Sequence, residues 1–263
     1  MSAAATPVRM PALFVGHGSP MNAIEDNEFT RVWRQLAPRI PAPSAVLCIS
    51  AHWQTQGVQI TGAPQPETIH DFHGFPAKLS ELRYPAPGHP ALAQQIAATI
   101  RSSAVQLDPA RGLDHGAWSV LIQMYPKAQV PILQLSLDAT KGASFHYRLG
   151  RELAPLRDQG VLILASGNIV HNLGMMAPQQ RIAFDWAVHA NEAIKNKIVL
   201  RDHRALIEFS SLDRDMALAV PSAEHFLPLL YLLGVQDSGE SASFFNDRVV
   251  MGAISMTGVI VGG

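Results

Sequence analysis

Residues 11–16 (PALFVG), 27–37 (NEFTRVWRQLA) and 44–50 (SAVLCIS) decide the fold class. The first and third are short apolar runs bounded by turn residues, the pattern of strands buried on both faces. The middle stretch puts Phe29, Val32, Trp33 and Leu36 on one face of a 3.6-residue helix. Strand, helix and strand within about 40 residues form a βαβ unit. Such a unit predicts two parallel strands joined by a right-handed crossover.

The alternation continues outward. Strands are expected at 57–61, 104–107, 130–136 and 160–165, and helices at 89–101, 143–157, 181–199 and 222–233. The chain closes with expected strands at 242–247 and 249–256. Helices on both faces of a largely parallel sheet follow, a three-layer α/β/α arrangement with a mostly parallel mixed central sheet. The proline-rich stretches at 38–43, 64–66 and 85–90 are too short for linkers, so one domain is expected over 10–263, behind a flexible leader at 1–9.

Composition narrows the function. Of 263 residues, 20 are basic and 21 acidic, a net charge of −1 that provides no excess cation for a nucleic-acid backbone. Charged residues are 16%, against roughly 25% in an ordinary domain, which favours extensive buried surface. No signal-like leader and no span of bilayer length is present, which predicts a cytoplasmic protein without a membrane partner. The single cysteine, Cys48, lies in an apolar run and is read as an inert buried thiol; it excludes a disulfide or a multi-cysteine zinc site. The 11 histidines are the chemically conspicuous feature.

Two of them occupy equivalent places. His17 follows the first strand (GHGSP, 16–20) and His52 the second (SAHW, 50–53). Ligands gather beyond the carboxyl ends of parallel strands. Adjacent strands lie about 4.8 Å apart, so the two imidazoles are expected to reach one metal ion. His171 follows the most apolar strand (SGNIVHN, 166–172) and reads as a ligand or an acid–base group. His225 is expected in the first turn of a helix capped by Ser222, with Glu224 beside it as an equally good ligand. His115 (LDHGAW, 113–118) reads equally as a turn histidine or a functional one. The aromatic, turn-rich loop HDFHGFP (70–76) reads as a pocket wall, and His70 and His73 as a weaker metal pair. Trp53, Trp118 and Phe72 are expected to be part core and part pocket lining. His89, His146, His189 and His203 are read as surface or structural. No dinucleotide fingerprint, P-loop or nucleophile elbow is found, and Ser19 has no evident base.

These motifs, with RYPAPG at 83–88 and EHFLPL at 224–229, run in order from residue 16 to about 230. As a set they resemble the DOPA-dioxygenase type of class III extradiol ring-cleaving dioxygenases, of the LigB-like superfamily. The resemblance implies a single-domain α/β fold. It also implies metal-dependent insertion of O2 into a small catechol, by DOPA-like 4,5-cleavage, to give a ring-opened semialdehyde. Carried over by position, it makes His17, His52 and His225 metal ligands, His171 the acid–base residue and His115 a hydrogen-bonding group for the substrate. His73, Phe72 and Trp53 become candidate substrate contacts. The wider class uses two histidines and a glutamate, so Glu224 stays a rival for the third ligand place. Fe(II) for turnover and Zn(II) as a bound ion both suit three histidines. Two further readings stand beside this one: a zinc hydrolase or amidase on the same site, and a non-enzymatic metal-binding protein of the Memo type. The sequence sets no oligomeric state.

Overall fold

Alternation along the central strands dictates two separate cores. Ala12 and Phe14 point to one face of the sheet, Leu13 and Val15 to the other. The strands carrying them are β1 (Ala12–Gly16), β2 (Ala45–Thr55), β3 (Val58–Thr61), β4 (Val105–Asp108), β5 (Ile132–Asp138) and β6 (Val161–Gly167). β7 (Ala242–Phe245), β8 (Val249–Val250), β9 (Ile254–Ser255) and β10 (Gly258–Val261) complete the set. The computed structural model describes residues 9–178 and 183–262.

The helices are α1 (Glu28–Leu36), α2 (Ala77–Glu81), α3 (Pro90–Thr99), α4 (His115–Met124), α5 (Ala143–Leu153), α6 (Asp185–Val199), α7 (His203–Ile207), α8 (Met216–Ala219) and α9 (Leu227–Val235). One core joins Phe14, Leu47 and Ile49 to residues of α3, α5, α6 and α9. The other joins Leu13, Val15 and Cys48 to Trp33 of α1, Leu79 of α2 and Trp118 of α4. The three-layer α/β/α arrangement is therefore as expected, and Cys48 is a buried free thiol.

The sheet has eight strands in the order β4-β3-β5-β2-β6-β1-β10-β7. Its centre is parallel: β6 pairs parallel with both β1 and β2, and β2 with β5. Antiparallel pairs lie toward the edges, β3 with β5 and β10 with β1 and β7. This corrects one step in the sequence argument. β1 and β2 run parallel but are not neighbours, because β6 lies between them. The crossover of the first βαβ unit skips a place that a strand more than 100 residues later fills.

Three other expectations shift. The expected strand at 249–256 is the short β8–β9 hairpin, broken where Met251 (φ 49°) and Gly252 (φ 77°) turn left-handed. The strand that follows, β10, was not expected. Of the leader, residues 1–8 lie outside the described set, and Arg9 is tied down by ion pairs to Asp158 and Asp237. The helix expected at 222–233 begins only at Leu227. Pro228 lacks an N–H and clashes within a helix interior but is tolerated in the first turn, so it sets the start. Ser222 bonds the Glu224 carboxylate instead of capping, which leaves His225 in a turn before the helix. Residues 181–182 of the helix expected at 181–199 lie outside the described set.

Candidate metal centre

The carboxyl ends of β1, β2 and β6 form one floor, and the sequence delivers a histidine to it from each side. His17 follows β1, its backbone N–H donating to Gly167 O at the end of β6 (3.1 Å). His52 lies inside β2, where pairing with β5 slips between Ile49 and Gln54. Pairing with β6 ends at Ser50. A bulge of this kind re-aims side chains, and it turns His52 toward His17 across the intervening strand. His115 is the first residue of α4, whose cap is Asp114. His225 is held by its carbonyl, which accepts from Asn168 N–H at 2.9 Å. That contact needs Gly167, because a Cβ there would lie 2.1 Å from His225 O.

The rings converge. Centroids of His17 and His52 lie 4.9 Å apart, His17 and His225 5.4 Å, and His52 and His225 5.0 Å. His115 packs against His52 at 3.9 Å, and His171 stacks on His225 at 3.5 Å. Nitrogen atoms of His17, His52 and His115 gather within 4.8 Å of one another, and a second such group is His171, Glu224 and His225. The ligand set inferred from the resemblance draws on both groups.

Hydrogen bonding decides which nitrogen each ring offers. The Ser166 hydroxyl donates to Gly116 O (2.6 Å), so toward His17 Nδ1 (3.0 Å) it can only accept. The Glu224 carboxylate accepts from His225 Nδ1 (3.0 Å), and Asp71 Oδ1 accepts from His115 Nδ1 (2.9 Å). Asp71 Oδ2 lies 3.6 Å from His52 Nδ1. The Nδ1–H groups of His17, His115 and His225 thus each bond an oxygen, which leaves the Nε2 of those rings free to accept. His17 Nε2 and His52 Nε2 face each other at 3.0 Å, and the buried His225 Nε2 has no hydrogen-bond partner.

Burial acts in the same direction. It pushes the His17 imidazolium well below the ordinary range, with repulsion from His52 and His225 adding to it. His52 is lowered by burial and by His115, and His171 falls to about 3 through burial and His225. The hydrogen bond from His225 holds the Glu224 carboxyl down at about 2. Burial alone would raise Asp71, but the hydrogen bonds from His115 outweigh it and lower it.

A cavity of about 380 Å³ opens in front of these rings. Phe72, Phe75, Leu173, Met176, Met251 and Ile254 form an apolar wall opposite His17, His52, His115, His171 and His225. Two expected contacts do not line it. Trp53 follows His52 in a strand, where successive side chains point to opposite faces; it is buried beneath the Arg111 guanidinium, 5.2 Å from its ring. His73 is exposed on the loop after Phe72. His70 reaches Leu82 O (3.0 Å), a loop-bracing contact. Sequence reasoning passed over Asp71 and Ser166, which hold the imidazoles in place. The carboxylate between two histidines at 70–73 was the available signal for the first; nothing marked the second.

The chain is similar to known proteins along almost its whole length. A family model for LigB, the catalytic subunit of aromatic ring-opening dioxygenase, matches residues 11–261. A 4,5-DOPA dioxygenase extradiol of Escherichia coli (strain K12) is 45% identical over 265 residues, covering 97% of this chain and 95% of that protein. A protein of the same name from Beta vulgaris is 36% identical, covering 89% of this chain and 90% of its own. A crystal structure of an uncharacterized Escherichia coli K12 protein superposes with a TM-score of 0.86 at 41% identity, covering 97% of this chain and 100% of that one. The chain belongs to the LigB family and is a class III extradiol ring-cleaving dioxygenase.

Proposed function

We propose that residues 10–263 form one catalytic domain that opens a small catechol by DOPA-like 4,5-cleavage, with O2 as co-substrate and a semialdehyde as product. His17, His52 and His225 would hold the metal. The observation that carries this reading is the set of Nε2 atoms left bare, two of them facing at 3.0 Å and the third buried without a partner. A buried acceptor without a donor is costly, and a cation is the partner that suits three neutral imidazoles. Histidines that bind a metal commonly give their other ring nitrogen to an oxygen, and Ser166 and Glu224 supply that oxygen for His17 and His225. Glu224 is thereby engaged with Ser222 and His225 and does not line the cavity, which favours His225 as third ligand.

Three histidines accept Zn(II) as readily as Fe(II); Fe(II), when bound, supplies the redox chemistry that lets a catechol react with O2. The remaining steps belong to the chain. The apolar wall of Phe72, Phe75, Leu173, Met176, Met251 and Ile254 clamps the ring and excludes water from the reacting face. A cavity of about 380 Å³ suits a single substituted ring. His115, with Nδ1–H given to Asp71, presents Nε2 to accept a hydrogen bond from a catechol hydroxyl. His171 lines the cavity stacked on His225 at 3.5 Å, where its imidazole is placed to take a hydroxyl proton and return it to the opening product. The buried lone thiol Cys48 suits a reducing compartment, consistent with a cytoplasmic enzyme. Among the described residues no helix is long and apolar enough to cross a membrane.

Anaerobic loading with Fe(II), followed by an oxygen-electrode screen of catechols, tests the proposal. Stoichiometric O2 uptake with a yellow ring-opened product is expected. Turnover without O2 would instead mark a hydrolase, and metal binding with no turnover a Memo-type binding protein.

A further inference from the structure

We propose that Asp71 is a positioning residue that sets the ring orientation and tautomer of His52 and His115 together, so that both present Nε2 to the cavity. The inference rests on the reading of His52 as a ligand and His115 as a substrate contact, and it adds the group that couples them.

The geometry begins with the backbone. Segment 67–71 is clamped onto the entrance of α4: Leu113 N–H donates to Glu67 O (2.7 Å) and Ile69 N–H to Leu113 O (2.8 Å). Trp118 Nε1–H donates to Ile69 O (2.8 Å). Asp71 therefore arrives at a defined place, with its side chain 24% exposed. Oδ1 accepts two hydrogen bonds from one residue, His115 N–H (3.1 Å) and His115 Nδ1–H (2.9 Å). Two donors on one oxygen fix the plane of the carboxylate, and Oδ2 is left facing His52 Nδ1 at 3.6 Å. Among the described residues His52 Nδ1 has no hydrogen bond to another group. A negative oxygen at that distance favours the proton on Nδ1 and the lone pair on Nε2. The rings so held pack at 3.9 Å, and the next residue, Phe72, walls the cavity. One short loop thus links a ligand, a substrate contact and the substrate wall.

Asp71→Asn separates the two halves of this role. The amide oxygen must take the place of Oδ1, because its NH2 cannot face two N–H groups. The NH2 then faces His52 Nδ1 and drives the His52 proton to Nε2, where it blocks metal binding; His115 keeps its original tautomer. Asp71→Ala releases both rings.

The test uses the full-length chain labelled with 15N, free of metal and loaded with Zn(II), read by long-range imidazole 1H–15N correlation. The expected spectra show Nδ1–H on both rings in the wild type, Nε2–H on His52 alone in D71N, and exchange between tautomers on both rings in D71A. Zn(II) affinity, from chelator competition, is expected to fall about 10–100-fold in D71N. Saturating Fe(II) should restore kcat in D71N but not in D71A, with melting temperatures of both close to the wild type. Unchanged His52 and His115 tautomers in both variants, or unchanged Zn(II) affinity in D71N, would overturn the proposal. A wild type that binds Zn(II) with these tautomers but opens no catechol would sink the functional reading and leave this one standing.

Discussion

Among the described residues, two regions gather three or more metal-capable side chains, and they differ in where the spare lone pairs point. At the floor of the cavity, the Nδ1 atoms of His17, His115 and His225 are each engaged by a separate oxygen, and these three imidazoles are buried. On the outer surface, His189 of α6 meets Asp213 and Asp215. There both carboxylates address the same nitrogen, Nδ1, at 3.5 and 2.7 Å, and the imidazole is 52% exposed. The surface trio has satisfied itself by hydrogen bonding. Proximity of ligand types therefore does not make a metal site; unspent lone pairs aimed at one buried point do.

The comparison can be broken most decisively at the buried cluster. His225→Ala removes the unpartnered Nε2, and both bound metal and turnover should disappear. The loss of rate should exceed the ~10²–10⁴-fold that removal of an acid–base group costs. Metal analysis of the purified protein, beside O2 uptake, checks it. His171→Ala comes next: kcat should drop by about 10²–10⁴-fold with metal content unchanged. Loss of metal in that variant would make His171 a ligand and redraw the site.

A smaller effect concerns pH. In the metal-free chain His171 is lowered from 6.5 to about 3, and His17 and His52 are also lowered. The unfolded chain then binds protons that the folded chain refuses, so stability rises with pH across this window. The contribution is fully present above about pH 6.5 and is lost as pH falls toward the folded values. Asp71 and Glu224, lowered below ordinary carboxyl values, lose theirs lower still, below about pH 4. Melting in the presence of chelator should therefore fall steadily from pH 7 to pH 4, and His171→Ala should flatten that slope. Smallest of all is His189→Ala. Metal stoichiometry and kcat should match the wild type, with stability changed by at most about 1 kcal/mol, as for an exposed ion pair. A lost equivalent of metal would erase the distinction between the two regions.

The legible part of this site was local. Apolar runs ending in glycine marked the ends of β1 and β6 and so the places of His17 and His171, and the βαβ pattern fixed the parallel sense of β1 and β2. The order of strands was not legible. Nothing in residues 11–50 shows that β6 will slide between β1 and β2, because that choice depends on packing of apolar runs far apart in the chain. The start of α9 was misplaced for a different reason: Ser222 has the chemistry of a cap, yet Glu224 claims its hydroxyl and Pro228 sets the first turn.

By itself, the order of residues determined which imidazoles stand at strand ends and loop turns, since apolar periodicity and glycine placement act over a few residues. Only the tertiary structure decided which nitrogen of each ring is free. The oxygens that make that choice come from elsewhere, Ser166 lying 149 residues from His17 and Asp71 44 residues from His115. A ring nitrogen becomes a ligand when its twin has been given a proton acceptor, and such a partner can be supplied only by the folded chain.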